Sequence, residues 1–241
     1  MTFLGMPDHR ARWCWGAALA CWLAYPLLGA LPAAQRLDNA WSDQLQRWRA
    51  ESRAGDRAIV VIDVDEASMQ AMNPVAGKWP WPRSVHAGLL EALLAQQPRA
   101  VVFDIFFSDP DAFRPDDDAW FGEVLAASPK AYLASLELGA SDGTQAPLLA
   151  SYPAEAGLEQ GPSARADARG WLQLPRAVSP ASWRTGAVNF SADGDGIGRR
   201  YALYREIDGW RWPTLPARVA RDLGATLPSG PDIRIDWPGG G

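Results

Sequence analysis

The sequence predicts an α/β domain with a mixed, largely parallel sheet flanked by helices, set behind an N-terminal transmembrane helix. Three observations carry this prediction. An uncharged run of 22 residues, Trp13 to Ala34, lies near the start of the chain. Two apolar strand-like runs, Ile59–Asp65 and Ala100–Phe107, carry carboxylates near their carboxyl ends. Between them, Val85, Leu89 and Leu93 recur on one face of a helix, widened by Leu90 and Leu94.

The first run is long enough to cross a hydrocarbon core of roughly 30 Å as a helix. Trp13, Trp15, Trp22 and Tyr25 add aromatic mass, part of it at the expected interface. Pro26 kinks such a helix without forbidding it. The end, Leu-Pro-Ala-Ala-Gln, is a poor signal-peptidase site, which favours an uncleaved anchor over a cleaved signal. Residues 1–12 then form a short flank, and 35–58 form a juxtamembrane helix and linker. In that helix Leu37, Trp41, Leu45 and Trp48 share a face, either to pack on the domain or to transmit motion to the membrane. Arg10 and Arg12 precede the run, whereas Arg36, Arg47, Arg49 and Arg53 follow it. A positive-inside count would put the following domain in the cytoplasm, but long domains translocate regardless of such charge, so the count leaves orientation open.

In the domain, strand Ile59–Asp65, a helix bounded by Pro82 and Pro98, and strand Ala100–Phe107 read as a βαβ unit with a right-handed crossover. A short helix, Ala119–Ala127, follows the acidic run Asp116–Asp118, and Ala131–Leu136 reads as a strand. From Glu137 to Pro175 the pattern fades into loops. Ala187–Phe190 reads as a strand entering a turn at Asp193–Gly196. Arg200–Ile207 alternates, and Asp208-Gly209 is a hairpin turn. A helix is expected from Thr214, as its cap, to Leu223, with Gly224 as its stop. Ile233–Trp237 is the last strand. The chain then stops at Pro-Gly-Gly-Gly, which reads as a boundary inside a longer receptor.

Composition narrows the function. A net charge of -5 argues against a nucleic-acid surface. Cys14 and Cys21, the only cysteines, lie in the apolar run, so the domain has no disulfide framework and no cysteine metal site. His9 and His86 are the only histidines, too few for a multi-histidine metal site. No cofactor motif is present: there is no Walker loop, dinucleotide fingerprint, nucleophile elbow or H-E-x-x-H.

The candidate chemistry lies at the strand ends. Aligning the apolar runs puts Asp63 and Asp104 at the same height in adjacent parallel strands, with Asp65 on the face of Asp63. Ligands of open α/β sheets bind beyond the carboxyl ends of the strands. Asp63, Asp65, Asp104 and Asp109 therefore form a candidate acidic cluster, to be neutralised by Arg83, Arg199 or Arg200, or by Mg²⁺ or Ca²⁺. Whether a metal binds is left unknown. The plainer alternative has Asp65 capping a short helix, Glu66–Met72, while the other acids pair with arginines. Trp79 and Trp81 form a candidate aromatic wall in the stiff element Lys78-Trp-Pro-Trp-Pro-Arg83. Asp63-Val-Asp65 also has the start of a phosphatase DxD motif, without the rest of it. Asp193-Gly-Asp-Gly196 has part of a calcium loop, but reads better as a tight turn. His86 reads as a surface or satisfied histidine.

The stretches IVVIDVDE (Ile59–Glu66), WPWPRSVH (Trp79–His86), AVVFDIFFSDPD (Ala100–Asp111), GAVN (Gly186–Asn189) and DGDGIGRRY (Asp193–Tyr201) occur in one order. In that order the chain resembles the second type of CHASE domain, the cyclase/histidine-kinase-associated sensory extracellular module of bacteria. The resemblance covers roughly residues 35–238. It implies an extracytoplasmic input module, 59–241, without catalytic residues. Such a module is anchored in the cell membrane and coupled to a cytoplasmic nucleotide cyclase or kinase outside this chain. By the same resemblance, residues 1–12 are a cytoplasmic N-terminus, residues after about Ala34 lie in the periplasm, the stimulus is an unknown periplasmic ligand or protein, and a homodimer is expected. A metal-dependent phosphate-ester hydrolase using Asp63 and Asp65, and a tethered interaction domain without a small ligand, are the competing readings.

Overall fold

The computed structural model of the protein describes residues 13–16, 18–19, 32–139 and 145–238. It divides into two compact units, Met1–Val61 with Asp236–Gly241, and Ile62–Ile235. In the first unit the described part is dominated by helix α1, Pro32–Glu51, and Arg53 pairs with Asp236. Most of the expected membrane run, residues 17 and 20–31, lies outside the described residues. Among the described residues no helix is long and apolar enough to cross a membrane.

The second unit is built on a sheet of β1 (Val101–Phe103), β2 (Ala131–Leu138), β4 (Trp171–Gln173) and β5 (Thr185–Ala187), with β2 at its centre. β1 and β5 run parallel to β2, and β4 runs antiparallel to its carboxyl end. Helix α4 (Pro115–Ala127) connects β1 to β2, so the βαβ unit exists one element later than the sequence predicts. β2 alternates between two covered faces, as a strand buried on both sides must. Ala131 and Leu133 face the main core, with Phe121 and Leu125 of α4 and Leu90 of α3 (Arg83–Leu94). Tyr132 and Ala134 face the opposite way, against Leu215 and Val219 of α5 (Leu215–Asp222).

The other pairings are antiparallel: β3 (Glu159–Gln160) and β7 (Tyr204–Ile207) on β8 (Trp210–Pro213), and β6 (Arg200–Ala202) on β9 (Asp232–Arg234). The sheets are thus mixed but not largely parallel. The reason is local. Asp208 and Gly209 both take positive φ, 46° and 81°, which closes a two-residue hairpin between β7 and β8. A side chain on Gly209 would also strike the Ser163 carbonyl, 2.1 Å from where its Cβ would stand. Leu203 is buried between β6 and β7, so the single alternating strand expected over Arg200–Ile207 becomes two strands in different sheets.

Three further expectations change. Ile59–Asp65 is not a buried strand: Ile59, Val60, Val61 and Ile62 are all exposed, and β1 has β2 as its one ladder partner among the described residues. Local hydrogen bonds claim both ends of the segment, Asp56 accepting from the Ala58 and Ile59 amides and Asp65 capping α2 (Glu66–Ala76). Helix α3 buries His86, Ala87 and Leu90, a face turned by one residue from the one predicted. Thr214 stands at the N-cap of α5 but its hydroxyl donates to the carbonyl of Ala202, 2.9 Å away, tying the helix to β6 rather than capping it.

The GAVN motif has a clear structural office. A Cβ on Gly186 would lie 2.6 Å from Leu215 Cα, so glycine permits α5 to start directly over β5. Asn189 extends the pairing of β2 by mimicking a strand: its Oδ1 accepts from the Glu137 amide at 2.7 Å and its Nδ2 donates to the Glu137 carbonyl at 2.9 Å. Asn189→Ala strips both partners from a part-buried backbone and is expected to cost about 1–3 kcal/mol, read as a lower urea midpoint at unchanged m-value.

Candidate functional site

The predicted acidic cluster is distributed over separate places. Asp63 lies in the exposed segment before α2. Asp65 is the N-cap of α2, its Oδ1 accepting from both the amide and the hydroxyl of Ser68 at 2.7 Å. These bonds to the charged form hold its carboxyl below the ordinary value, as the plainer reading of the sequence expects. Asp104 is exposed beyond β1 and acts on Tyr201, whose hydroxyl is raised by burial and then by the Asp104 charge. Asp109 is exposed and 3.8 Å from Arg176.

Arg199 serves a turn of its own. It is buried, and its guanidinium grips the turn Asp193–Gly196, with Nη1 2.8 Å from Asp193 Oδ2 and Nη2 2.8 Å from Asp195 Oδ2. The hydrogen bonds from Arg199 draw the Asp195 carboxyl down to about 2. The part-motif of a calcium loop is a tight turn whose cation is an arginine. Arg200 pairs with Asp232 across β6 and β9, at 2.5 Å.

What the structure does bring together is the WPWPR element, α3, β1 and α4. Trp79 and Trp81 meet edge to face with ring centroids 5.1 Å apart. His86 fits edge-on to Trp79 at 5.9 Å, Phe103 at 6.3 Å and Phe107 at 5.2 Å, and Phe121 stands 6.4 Å away. Edge-to-face contact is the favoured geometry for such rings. Arg83, one turn before His86, lays its guanidinium over Phe107 at 5.4 Å. Its Nη2 donates to the Asp109 carbonyl at 3.2 Å, and its Nε stands 3.7 Å from Asp118 Oδ1. Asp118 Oδ2 accepts from the Asp111 amide at 2.6 Å, folding the loop between β1 and α4 onto the helix.

Arg83, Trp79, Trp81 and the backbone of Asp109 are therefore a real constellation. His86 and Asp118 belong to it as well, although no motif in the sequence marks either for the site. Helical spacing marks Asp118 as the inward acid of Asp116–Asp118, since it shares a face with Phe121 and Leu125. Three buried polar atoms here, Trp81 Nε1, Arg83 Nε and Asp118 Oδ1, have no hydrogen-bond partner in the structure.

Chemically, the site has a held cation, aromatic walls and an imidazole that burial keeps neutral at pH 7. Among the described residues no three His, Cys, Asp or Glu side chains converge to hold a metal. A separate open groove of about 470 Å³ runs between α3 and α4, lined by Glu91, Leu94, Trp120, Glu123 and Val124.

Burial, and then the charge of Arg83, lowers His86 from its ordinary 6.5 to about 4. The unfolded chain thus binds the extra proton between these values while the native chain does not. The stabilisation is complete above about pH 6.5 and is lost as pH falls towards 4, by up to about 3 kcal/mol. Urea unfolding at stepped pH should show this slope, and His86→Phe should flatten it.

Nothing matches among the curated proteins or among the solved structures. A family model, the CHASE2 domain, matches residues 17–237. The match contains the aromatic constellation, the Arg199 turn and the Gly186–Asn189 clamp, so the chain belongs to the CHASE2 family, the sensory extracellular domains of signalling receptors.

Proposed function

We propose that this chain is the extracytoplasmic input module of a bacterial transmembrane receptor, relaying a stimulus to a cytoplasmic nucleotide cyclase or kinase. The family match over residues 17–237 carries this reading. The geometry supports it, because the residues in the shared motifs are spent on packing, capping and clamping. Asp65 is engaged as a helix cap, which removes the second carboxylate that a hydrolase reading requires. The run Trp13–Ala34 serves as the membrane anchor, with the domain after it in the periplasm. A periplasmic ligand or protein shifts the domain between two states, by no more than its differential affinity for them. The groove between α3 and α4 is a suitable entry point, since both helices also wall the aromatic constellation.

Two measurements separate this reading from the others. With Cys14 and Cys21 replaced by Ser, a single cysteine at exposed Ala225 should react with a membrane-impermeant maleimide in intact spheroplasts. Labelling only after lysis would place the domain in the cytoplasm and overturn the topology. The full chain with Mg²⁺ and p-nitrophenyl phosphate should show no turnover above buffer. Turnover lost on Asp63→Asn would establish the hydrolase instead.

A further inference from the structure

Helices α3 and α4 run in the same direction. Arg83 meets Asp118 near their starts, and the open groove of about 470 Å³ lies between their later turns. The negative ends of two helix dipoles therefore stand together at the groove. The usual complement to such an end is a cation in the last turn, and neither helix has a basic residue there. Instead, Glu91 stands in the last turn of α3 and Glu123 four residues before the end of α4. Asp116, Asp117 and Asp118 in the first turn of α4 follow the rule that these two acids break. Local rules are broken in this way chiefly at functional positions.

The groove itself supplies no counter-charge. None of its lining residues is basic, and among the described residues neither carboxylate has a hydrogen bond or an ion pair. Arg184 donates to the Ser128 carbonyl at 3.2 Å, beyond the end of α4, and does not line the groove. Trp120 leans from α4 towards α3, its Cη2 3.9 Å from where a Cβ on Gly88 would stand, and its indole stays 39% exposed. Leu94 and Val124 add apolar lining.

Two carboxylates, an indole and apolar walls select one kind of cation. A hard divalent ion takes roughly six to eight oxygen ligands, and two carboxylates fall short of that. An ammonium group on an alkyl chain suits every wall. Its charge answers the carboxylates and the indole face, and its methylenes cover Leu94 and Val124. The volume falls within the range of roughly 300–1,000 Å³ that small-molecule sites occupy. We propose that the groove between α3 and α4 binds a small alkylammonium ligand, held by Glu91 and Glu123 against Trp120. This deepens the sensory reading by naming the class of its stimulus, and rests on that reading only for the consequence of binding.

Isothermal titration calorimetry of the full chain in non-ionic detergent micelles tests the proposal. The probe is 1,4-diaminobutane, with butane-1,4-diol as its uncharged counterpart. The diamine should bind saturably and more weakly as salt is raised, and the diol should not bind. Glu91→Gln/Glu123→Gln should weaken diamine binding about tenfold, and Trp120→Leu about threefold. The urea midpoint of the double Gln variant should stay the same or rise, because it removes two acids from the negative ends of helices. Absent diamine binding, binding unchanged by the Gln pair, equal binding of the diol, or a Gln pair that lowers the urea midpoint would overturn the proposal. So would Mg²⁺ binding more tightly than the diamine and being lost in the Gln pair, which would assign the acids to a metal. The maleimide labelling tests the receptor topology independently, so the two readings fail separately.

Discussion

The domain is organised around one electrostatic constraint. A neutral imidazole and a charged guanidinium are held one helical turn apart inside a cluster of aromatic rings. Burying a charge is costly unless polar partners and ring faces replace its water. Arg83 finds those partners in Phe107, the Asp109 carbonyl and Asp118, on the strand end, loop and helix that follow α3. His86 fills the centre of the ring cluster, and its protonation would set a second cation beside Arg83. Burial and the Arg83 charge hold His86 below its ordinary pKa, and Phe103, Phe107 and Phe121 bring β1 and α4 to the same centre.

The other shared motifs follow the same logic on a smaller scale. Arg199 supplies the cation that lets Asp193 and Asp195 face inward across a tight turn. Gly186 lets α5 approach β5, and Asn189 finishes the edge of β2. These residues shape a scaffold.

The helices were legible in the sequence because their signals are local: the prolines before α3, the acids in the first turn of α4, and Asp65 before α2. The hairpin was legible because Asp-Gly supplies two positive-φ residues. The candidate site was half legible. Trp79, Trp81 and Arg83 are contiguous and unusual, whereas Asp118 depends on which of three adjacent acids turns inward, and His86 on a helix phase that the many leucines of α3 leave ambiguous. The acidic cluster failed for a different reason. It assumed that IVVID and AVVFD pair in register, and apolar alternation says that a run favours burial without saying which edge it joins. Sequence spacing already offers Arg199 nearer acids than the strand ends, Asp195 and Asp193 standing four and six residues before it.

Amide hydrogen exchange on the full chain tests the central claim most directly. The amides of Leu90, Phe103, Phe121 and Leu125 around the aromatic centre should exchange only through global unfolding, and should lose protection together as pH falls from 6.5 towards 4. The Val60 and Val61 amides should exchange at nearly the rate of an unstructured peptide. Fast exchange at the aromatic centre, or protection of Val60 and Val61 equal to that of β2, would contradict the account and move the organising contact of the domain to the sheet edge.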